Sequence, residues 1–210
     1  MAEQLALAGG SGSSNSTYEY LGWIAPLGGG LGEPGFRARL WLAGIQFNYD
    51  AAGNLGEVKG RGGEFEGALG HMWTLGDTSV TFYGSLKYRS IKLHPSDPDS
   101  DTEHQHFGVG VQGEFEHRFS QDWGLTGIAL YTALVKNYWS RLRPHWNTSE
   151  LQLGPEFIFS GGDQYTDNRY GIFVEGLPLG RLRLGLSGGA EYQRRKNTAA
   201  YGSLGLSLLF

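Results

Sequence analysis

Two histidines and two glutamates share one face of a single extended stretch. His104, His106, Glu114 and Glu116 all stand at even-numbered positions. Side chains two residues apart in a strand point the same way, about 6–7 Å from each other. Such imidazole and carboxylate groups can hold a metal ion or transfer protons, although a metal would need further ligands from a neighbouring strand. We favour the alternative that they fill a narrow interior with hydrogen bonds and ion pairs, and we expect neither a metal nor a cofactor.

The run YWSRLRPHW at 138–146 is the densest basic and aromatic cluster of the chain. Its candidate binding side chains are Trp139, Arg141, Arg143, His145 and Trp146. Aromatic faces combined with charged donors suit a carbohydrate that carries anionic groups, so the cluster could bind a saccharide. Amphipathic side chains of these types also anchor proteins at a membrane interface, and we favour that interpretation.

Signals for an enzyme are weak. A hydrolase at the rim of a membrane barrel would need paired Asp and His or His and Ser groups, and Ser149 near His145 is the nearest match. The sequence has no GxSxG elbow and no HExxH helix. We therefore expect no catalytic residues and no enzymatic activity.

The elements that position these residues alternate with a period of two. In 104–119, His106, Gln112 and Glu114 lie on one face, and apolar side chains such as Val109 and Phe115 lie on the other. This period indicates strands, because a helix would distribute the two sets around its circumference. Similar segments bring the count to ten: 17–27, 36–49, 57–73, 79–91, 104–119, 124–138, 148–159, 167–176, 181–193 and 199–210.

Short clusters of Gly, Pro, Asn and Asp separate the segments, as hairpins require. The pattern predicts an all-β, transmembrane, up-and-down antiparallel barrel of about ten strands, with twelve as the alternative. Residues 1–15 are expected to form a flexible Gly/Ser leader, and 16–210 the barrel. The N-terminus lacks the basic and apolar regions of a signal peptide, so we expect the mature chain to begin near Ala2.

Alternation alone does not distinguish a membrane barrel, whose apolar face points outward, from a soluble ligand-binding barrel, whose apolar face points inward. The segments of about 11–16 residues are long for soluble strands, which average about 5–6. Aromatic residues lie near the turns, as in the two belts of a membrane protein. The last strand carries Leu204, Leu206, Leu208 and Phe210 on one face and resembles the assembly signal that the barrel insertion machinery reads. We therefore expect a bacterial outer-membrane protein.

Composition narrows the partners. The net charge of −4 and the lack of a basic run argue against nucleic acid as a partner, because phosphates need a positive surface. In a membrane barrel the Val, Leu and Phe face meets outer-membrane lipid, and the ionisable residues fill the lumen. The expected polar network of the lumen comprises Arg61, Glu64, Glu66, Lys87, Arg89, His104, His106, Glu114, Glu116, Arg118, Glu150, Glu156, Arg169, Glu175, Arg181, Arg183 and Glu191.

The ten-strand count leaves one conflict. Short turns at 75–77 and 120–122 look periplasmic, yet counting back from a last strand that ends at the periplasm places both outside. Either one strand is missing from the count or the external loops are unusually short.

Three stretches carry a resemblance to one family: TYEYLGWIAPL at 17–27, LQLGPEFIFSGGDQYTDNRYGIF at 151–173 and TAAYGSLGLSLLF at 198–210. They resemble the outer-membrane barrels called cellulose biosynthesis protein BcsS, with GPEF and AYGSLGLSLLF as the most specific parts. The resemblance spans most of 17–210 and implies an accessory role in bacterial cellulose production. It supplies no catalytic motif.

We therefore expect a non-enzymatic outer-membrane accessory of exopolysaccharide, and specifically cellulose, biosynthesis or secretion, with secretion components or the glucan as partners. A ten-stranded lumen with many charges is too full to thread a polysaccharide, so docking is favoured over conduction. The alternatives are a narrow, porin-like channel for small solutes and a hydrolase at the rim.

Overall fold

The structure is a computed structural model that describes residues 3–51, 56–98, 100, 103–133, 136–162, 166–193 and 198–210. Twelve antiparallel strands form a closed barrel in which each strand pairs with the next along the chain and the first pairs with the last. The all-β barrel is confirmed, and the strand number is twelve, the alternative to the expected ten. The strands are β1 (Leu5–Ser13), β2 (Ser16–Pro26), β3 (Gly35–Asp50), β4 (Glu57–Leu75), β5 (Thr78–His94), β6 (His104–Arg118), β7 (Trp123–Thr132), β8 (Asn137–Asn147), β9 (Gln152–Gly161), β10 (Thr166–Leu179), β11 (Leu182–Gln193) and β12 (Ala199–Leu209).

The outer face of the barrel is apolar. Phe107, Leu86 and Ile172 are 82%, 71% and 72% exposed, although side chains of these types are usually buried. Charged residues alternate with them on the inner face, so the surface suits hydrocarbon outside and polar groups inside. Among the described residues, no helix is long and apolar enough to cross a bilayer.

The two ends of the barrel are distinguished by the paired strands β1 and β12. We name the end at which Leu5 pairs with Leu209 the terminal end, and the opposite one the far end. Outward-facing aromatic residues form a belt near each end. The terminal belt includes Phe36, Trp73, Trp123 and Trp146, and the far belt includes Tyr88, Phe107, Tyr131, Tyr138, Tyr170 and Tyr192.

Residues 5–13 form strand β1, so the expectation of a flexible leader over 1–15 is wrong for this segment. β1 pairs with β2 on one side and with β12 on the other. Its small residues leave room for Tyr20, since a Cβ at Gly9 would stand 2.8 Å from the Tyr20 Oη and 2.5 Å from the Leu204 carbonyl oxygen. Gly and Ser have low strand propensity, but pairing along both edges outweighs it here.

Strand β8 is the second one missing from the expected ten, because the segment predicted over 124–138 merged β7 with the start of β8. The register from Leu142↔Phe157 to Trp146↔Leu153 places Pro144 opposite Pro155, where neither residue can donate a backbone hydrogen bond. With β8 counted, the turns at 75–77 and 120–122 both lie at the terminal end. The conflict in the sidedness of the turns is thereby removed.

The far end is uneven in height. β2 stops at the pair Ser16↔Phe47, whereas β3 and β4 remain paired as far as Asp50↔Glu57. On the other side, β6 begins at His104, but β7 does not pair with it until Gly110. Parts of β3, β4, β5 and β6 therefore stand above the rest of the rim. We name this extension, formed by residues 47–50, 57–60, 91–94 and 104–108, the raised wall.

An apolar cluster stiffens the raised wall. Val58, Ile91 and Leu93 are almost fully buried, and Phe47 and Tyr49 pack against them. Burying each large apolar side chain contributes about 1.5–3 kcal/mol to the free energy of folding. This burial stabilises strands that have no barrel neighbour on part of their length. The wall is thus a packed element of the fold.

Close packing between β8 and β9 gives a first prediction. A Cβ at Gly154 would stand 2.2 Å from the Pro144 carbonyl oxygen, whereas a Cβ at Gly84 would meet no atom within 4 Å. We expect Gly154→Val to prevent closure of the barrel, so that most unheated protein loses its fast-migrating folded band on a detergent gel. The matched control Gly84→Val should keep that band. Equal behaviour of the two variants would contradict the described β8–β9 packing.

Candidate functional site

The lumen contains a first cluster of ion pairs on the wall formed by β3 to β6. The Lys87 Nζ lies 2.8 Å from a Glu66 carboxylate oxygen, and the Arg89 Nη2 lies 2.6 Å from Glu64. Arg39 contacts Glu66 at 2.5 Å and lies over the Tyr83 ring. We name this set the β3–β6 cluster. It contains three cations and three carboxylates: Arg39, Lys87, Arg89, Glu64, Glu66 and Glu114.

The opposite wall, from β8 to β11, contains a second cluster. Arg143 contacts Glu156 at 2.5 Å and Glu175 at 2.8 Å, and the Tyr201 hydroxyl donates to Glu156. Farther along, Arg169 binds Asp167 and Glu191 at 2.9 and 3.0 Å. We name this set the β8–β11 cluster. It contains two cations and four carboxylates: Arg143, Arg169, Glu156, Asp167, Glu175 and Glu191.

Aromatic side chains of β2 and β3 stand between the two clusters. The Tyr20 and Trp41 rings stack at 4.5 Å, and the Trp41 indole donates to the Tyr18 hydroxyl at 2.9 Å. Tyr18 and Tyr20 share the inward face of β2, and the Tyr20 hydroxyl lies against β1 and β12: a Cβ at Gly9 would stand 2.8 Å from its oxygen and a Cβ at Gly205 would stand 3.6 Å from it.

The packing excludes most solvent at this depth. The Glu156 and Glu191 side chains are each only 1% exposed, which leaves almost no access for a water-sized probe. A buried carboxylate is tolerated only when charged or polar partners surround it, and both have such partners. The lumen is therefore filled with side chains at these points.

Arg141 differs from its neighbours. It projects inward beside Trp139, with its guanidinium carbon 5.8 Å from the centroid of that ring. In the parts of the chain described here, it makes neither an ion pair nor a hydrogen bond. Its electrostatic neighbours include the like charge of Arg143 as well as Glu156 and Glu175. Among the described residues, Arg141 is thus a partly buried lumenal cation without an ion-pair partner.

The basic and aromatic run at 138–146 is divided by the strand period. Trp139, Arg141, Arg143 and His145 face the lumen, so the favoured interface interpretation is wrong for these four. Trp146 faces outward and packs against Trp123 with ring centroids 5.3 Å apart, as an interface aromatic does.

Several other residues expected in the lumen network lie outside it. His104 and Arg118 are exposed at opposite ends of β6, and Arg118 forms an ion pair with Glu116. Glu150 and Arg181 lie in exposed connections, and Arg183 donates to the Gly176 carbonyl near the terminal end. Strand ends are hard to place from periodicity, and each of these residues stands at or beyond one.

The other histidine of the predicted lumen network, His106, faces inward at the far end. His106 is hydrogen-bonded to the Glu103 carbonyl oxygen at 2.9 Å. Over the described residues, no group of three or more His, Asp or Glu side chains is arranged to hold a metal ion.

Sequence reasoning also assigned Arg61 to the lumen, and this is wrong. Arg61 pairs with Gln46 and Lys92 on the outer face of β4, because inward positions on that strand are even-numbered, as for Glu64 and Glu66. Conversely, the predicted lumen network did not include five residues that face the lumen: Arg39, Asp167, Tyr18, Tyr20 and Tyr201. Tyr18 and Tyr20 lie two residues apart and therefore share one face of β2, which is a usable signal. The predicted lumen network, however, contained only charged residues and histidines.

The β8–β11 cluster gives a second prediction. Removing the cation in Arg143→Met leaves Glu156 buried without its partner, so we expect a loss of about 3–5 kcal/mol in folding free energy. The double variant Arg143→Met, Glu156→Gln removes both charges and should be closer to wild type. Urea midpoints of the folded band on unheated gels would measure both. A double variant as unstable as the single one would show that charge burial is not the cause.

Solved structures show the same architecture at low sequence identity. The COG4313 outer membrane channel from Pseudomonas putida F1 has a TM-score of 0.65 at 10% identity, covering 100% of this chain and 96% of that chain. The KdgM porin in complex with disordered oligogalacturonate has a TM-score of 0.57 at 7% identity, covering 97% and 98%. The beta domain of the Bordetella autotransporter BrkA has a TM-score of 0.55 at 14% identity, covering 99% and 98%. At these identities the likeness shows the fold alone.

The structural neighbours are bacterial outer-membrane barrels, which agrees with the apolar outer face. No curated protein matches the sequence. The family model for cellulose biosynthesis protein BcsS, however, matches residues 5–210, including β1 and the closing strand. The match extends over nearly the whole chain, and it agrees with the resemblance carried by the three sequence stretches. The chain therefore belongs to the cellulose biosynthesis protein BcsS family.

Proposed function

We propose that this chain is a non-enzymatic barrel of the bacterial outer membrane that serves cellulose production by docking or positioning other components. Family membership supplies the pathway. The filled lumen favours docking over conduction, because a glucan needs a continuous path and the β3–β6 and β8–β11 clusters, with Tyr18 and Tyr20 between them, occupy the interior.

The orientation follows from the connections. In outer-membrane barrels the short turns face the periplasm. Two of the three two-residue turns, at Gly76–Asp77 and at 180–181, lie at the terminal end, and the third, at 14–15, lies at the far end. On this balance we place the terminal end in the periplasm. The raised wall then projects from the outer surface of the cell. A stiff projection with an uneven rim supplies a surface for a secretion component or for the emerging glucan.

Deletion of the gene tests the role in cellulose production. We expect secreted cellulose and pellicle formation to fall and to return when the intact chain is supplied. A complementing chain with Trp139→Ala and Arg141→Gln should restore cellulose fully, because docking does not use the lumen. Unchanged cellulose in the deletion strain would contradict the accessory role, and failure of the lumen variant alone would favour conduction.

A second function, a narrow channel for small anionic solutes, is supported by Arg141. A cation that has no ion-pair partner among the described residues and lies beside an aromatic ring suits an acidic solute or a sugar acid. The KdgM porin, which has a similar fold, is described in complex with disordered oligogalacturonate. The channel and the docking role are separable, since one uses the lumen and the other the rim.

Planar bilayer recordings test the channel. A channel of this kind would give discrete conductance with a preference for anions, and Arg141→Gln would reduce that preference while leaving the barrel folded. Arg181→Gln removes the same charge from an exposed turn and serves as the control. Silent bilayers with correctly folded protein would exclude this function.

A further inference from the structure

The outer face of β2, β3, β4 and β5 carries three successive rows of side chains that neither the fold nor the lumen accounts for. Each row runs across the four strands in direct register. The row nearest the middle of the barrel is apolar: Leu21, Leu42, Phe65 and Tyr88. The next is small or acidic: Glu19, Gly44, Gly63 and Ser90. The row nearest the far end consists of hydrogen-bond donors: Thr17, Gln46, Arg61 and Lys92.

The small side chains of the middle row open a groove in the barrel wall. A groove of about 810 Å³ extends over the apolar and middle rows, and an adjoining one of about 460 Å³ extends over the middle and donor rows. Gly44 lies in both, and a Cβ at this position would meet no atom within 4 Å. The wall therefore has space against its outer surface at the point where an apolar row gives way to a cationic one.

The two cations of the donor row are directly opposite each other on neighbouring strands. Arg61 pairs with Lys92 in the β4–β5 ladder, and both are exposed. Like charges in this arrangement destabilise a sheet. In the described part of the chain, neither forms an ion pair, and the carboxylate of Glu19 lies two strands from Arg61 in the row below. An anion held between Arg61 and Lys92 would relieve this repulsion.

The groove also coincides with a change in the far aromatic belt. Tyr88 and Phe107 form the belt on β5 and β6, with ring centroids 4.8 Å apart. On β2 and β3, the outward positions beyond Leu21 and Leu42 carry Glu19 and Gly44 instead of aromatic rings. Aromatic belts mark the headgroup level of a bilayer. The groove therefore opens at the depth where a lipid changes from acyl chain to headgroup.

We propose that this outer groove binds a phosphorylated lipid, whose phosphate is held by Arg61 and Lys92 with donors from Gln46 and Thr17. Its acyl chain lies along Leu42 and the neighbouring apolar residues. Charge-assisted hydrogen bonds from guanidinium and ammonium groups are among the strongest that phosphate accepts, and basic clusters at membrane boundaries bind anionic headgroups.

A lipid is favoured over a free anion or a protein because the apolar row and the cationic row follow each other in the same order as the acyl chain and the headgroup of a lipid. Rows two residues apart on a strand are separated by about 6–7 Å. The site thus passes from hydrocarbon contacts to cations over the length of a headgroup. The proposal rests on the membrane-spanning barrel and is independent of the role in cellulose production.

Native mass spectrometry of the full chain in non-ionic detergent tests the site. The probes are bisphosphorylated lipid A, the same lipid without its phosphates, and inorganic phosphate. We expect wild-type protein to retain the phosphorylated lipid and to bind the other two much more weakly. Arg61→Gln with Lys92→Gln should weaken binding of the phosphorylated lipid by about tenfold or more.

Matched variants separate the site from general effects. Arg118→Gln with Arg181→Gln removes two exposed positive charges at the terminal end and should bind like wild type. Gly44→Leu fills the groove and should also weaken binding, whereas Gly84→Leu, another position with open space beyond it, should not. Equal binding by all variants, or inorganic phosphate binding as tightly as the lipid, would overturn the proposal. A cellulose defect is not a readout here, so the two proposals fail separately.

Discussion

The pairing of β1 with β12 is the contact on which the rest of the structure depends. A backbone amide or carbonyl group left unpaired in hydrocarbon costs several kcal/mol, so a sheet inside a membrane cannot keep an open edge. Here the closing ladder runs from Leu5↔Leu209 to Ser13↔Tyr201. Closure then sorts every side chain into one of two environments. The ion pairs of the lumen and the apolar outer face are both consequences of a sheet that has no edge.

Closure also explains why glycine is so frequent in the chain. Large aromatic rings inside a narrow barrel need neighbours without a Cβ, as Tyr20 does at Gly9. Charges that would cost several kcal/mol each if isolated become tolerable because each has partners. The aromatic residues and the charges of the lumen are therefore parts of one packing arrangement.

Sequence alone predicted the fold class and the faces of the regular strands, because a period of two is unambiguous where large apolar and charged residues alternate. In β6, Glu114 and Phe115 were placed on the correct faces. The prediction failed where the pattern was weak. β1 contains mostly Ala, Gly and Ser, and it was predicted to be a flexible leader. The strand count did not include β8, which contains Pro144. Arg61 was assigned to the lumen by its charge, although its parity differs from that of Glu64.

Contacts across the lumen could not be predicted at all. That Arg143 meets Glu175, or that Arg169 of β10 donates to Ser16 of β2, depends on the stagger of the strands around the barrel, which accumulates over all twelve pairings. The distribution of partners follows from the same stagger. In the described part of the chain it leaves Arg141 without an ion pair, while Arg143, two residues away, has two.

The raised wall removes the rotational symmetry that a barrel rim would otherwise have. One side of the mouth is tall and stiffened by Val58 and Ile91, and the side formed by β7 to β12 and β1 is low. A component that binds at the mouth can therefore do so in only one rotational orientation about the barrel axis. Each barrel in a membrane would therefore hold its bound component in the same orientation relative to its own strands. No further specific contact would be needed.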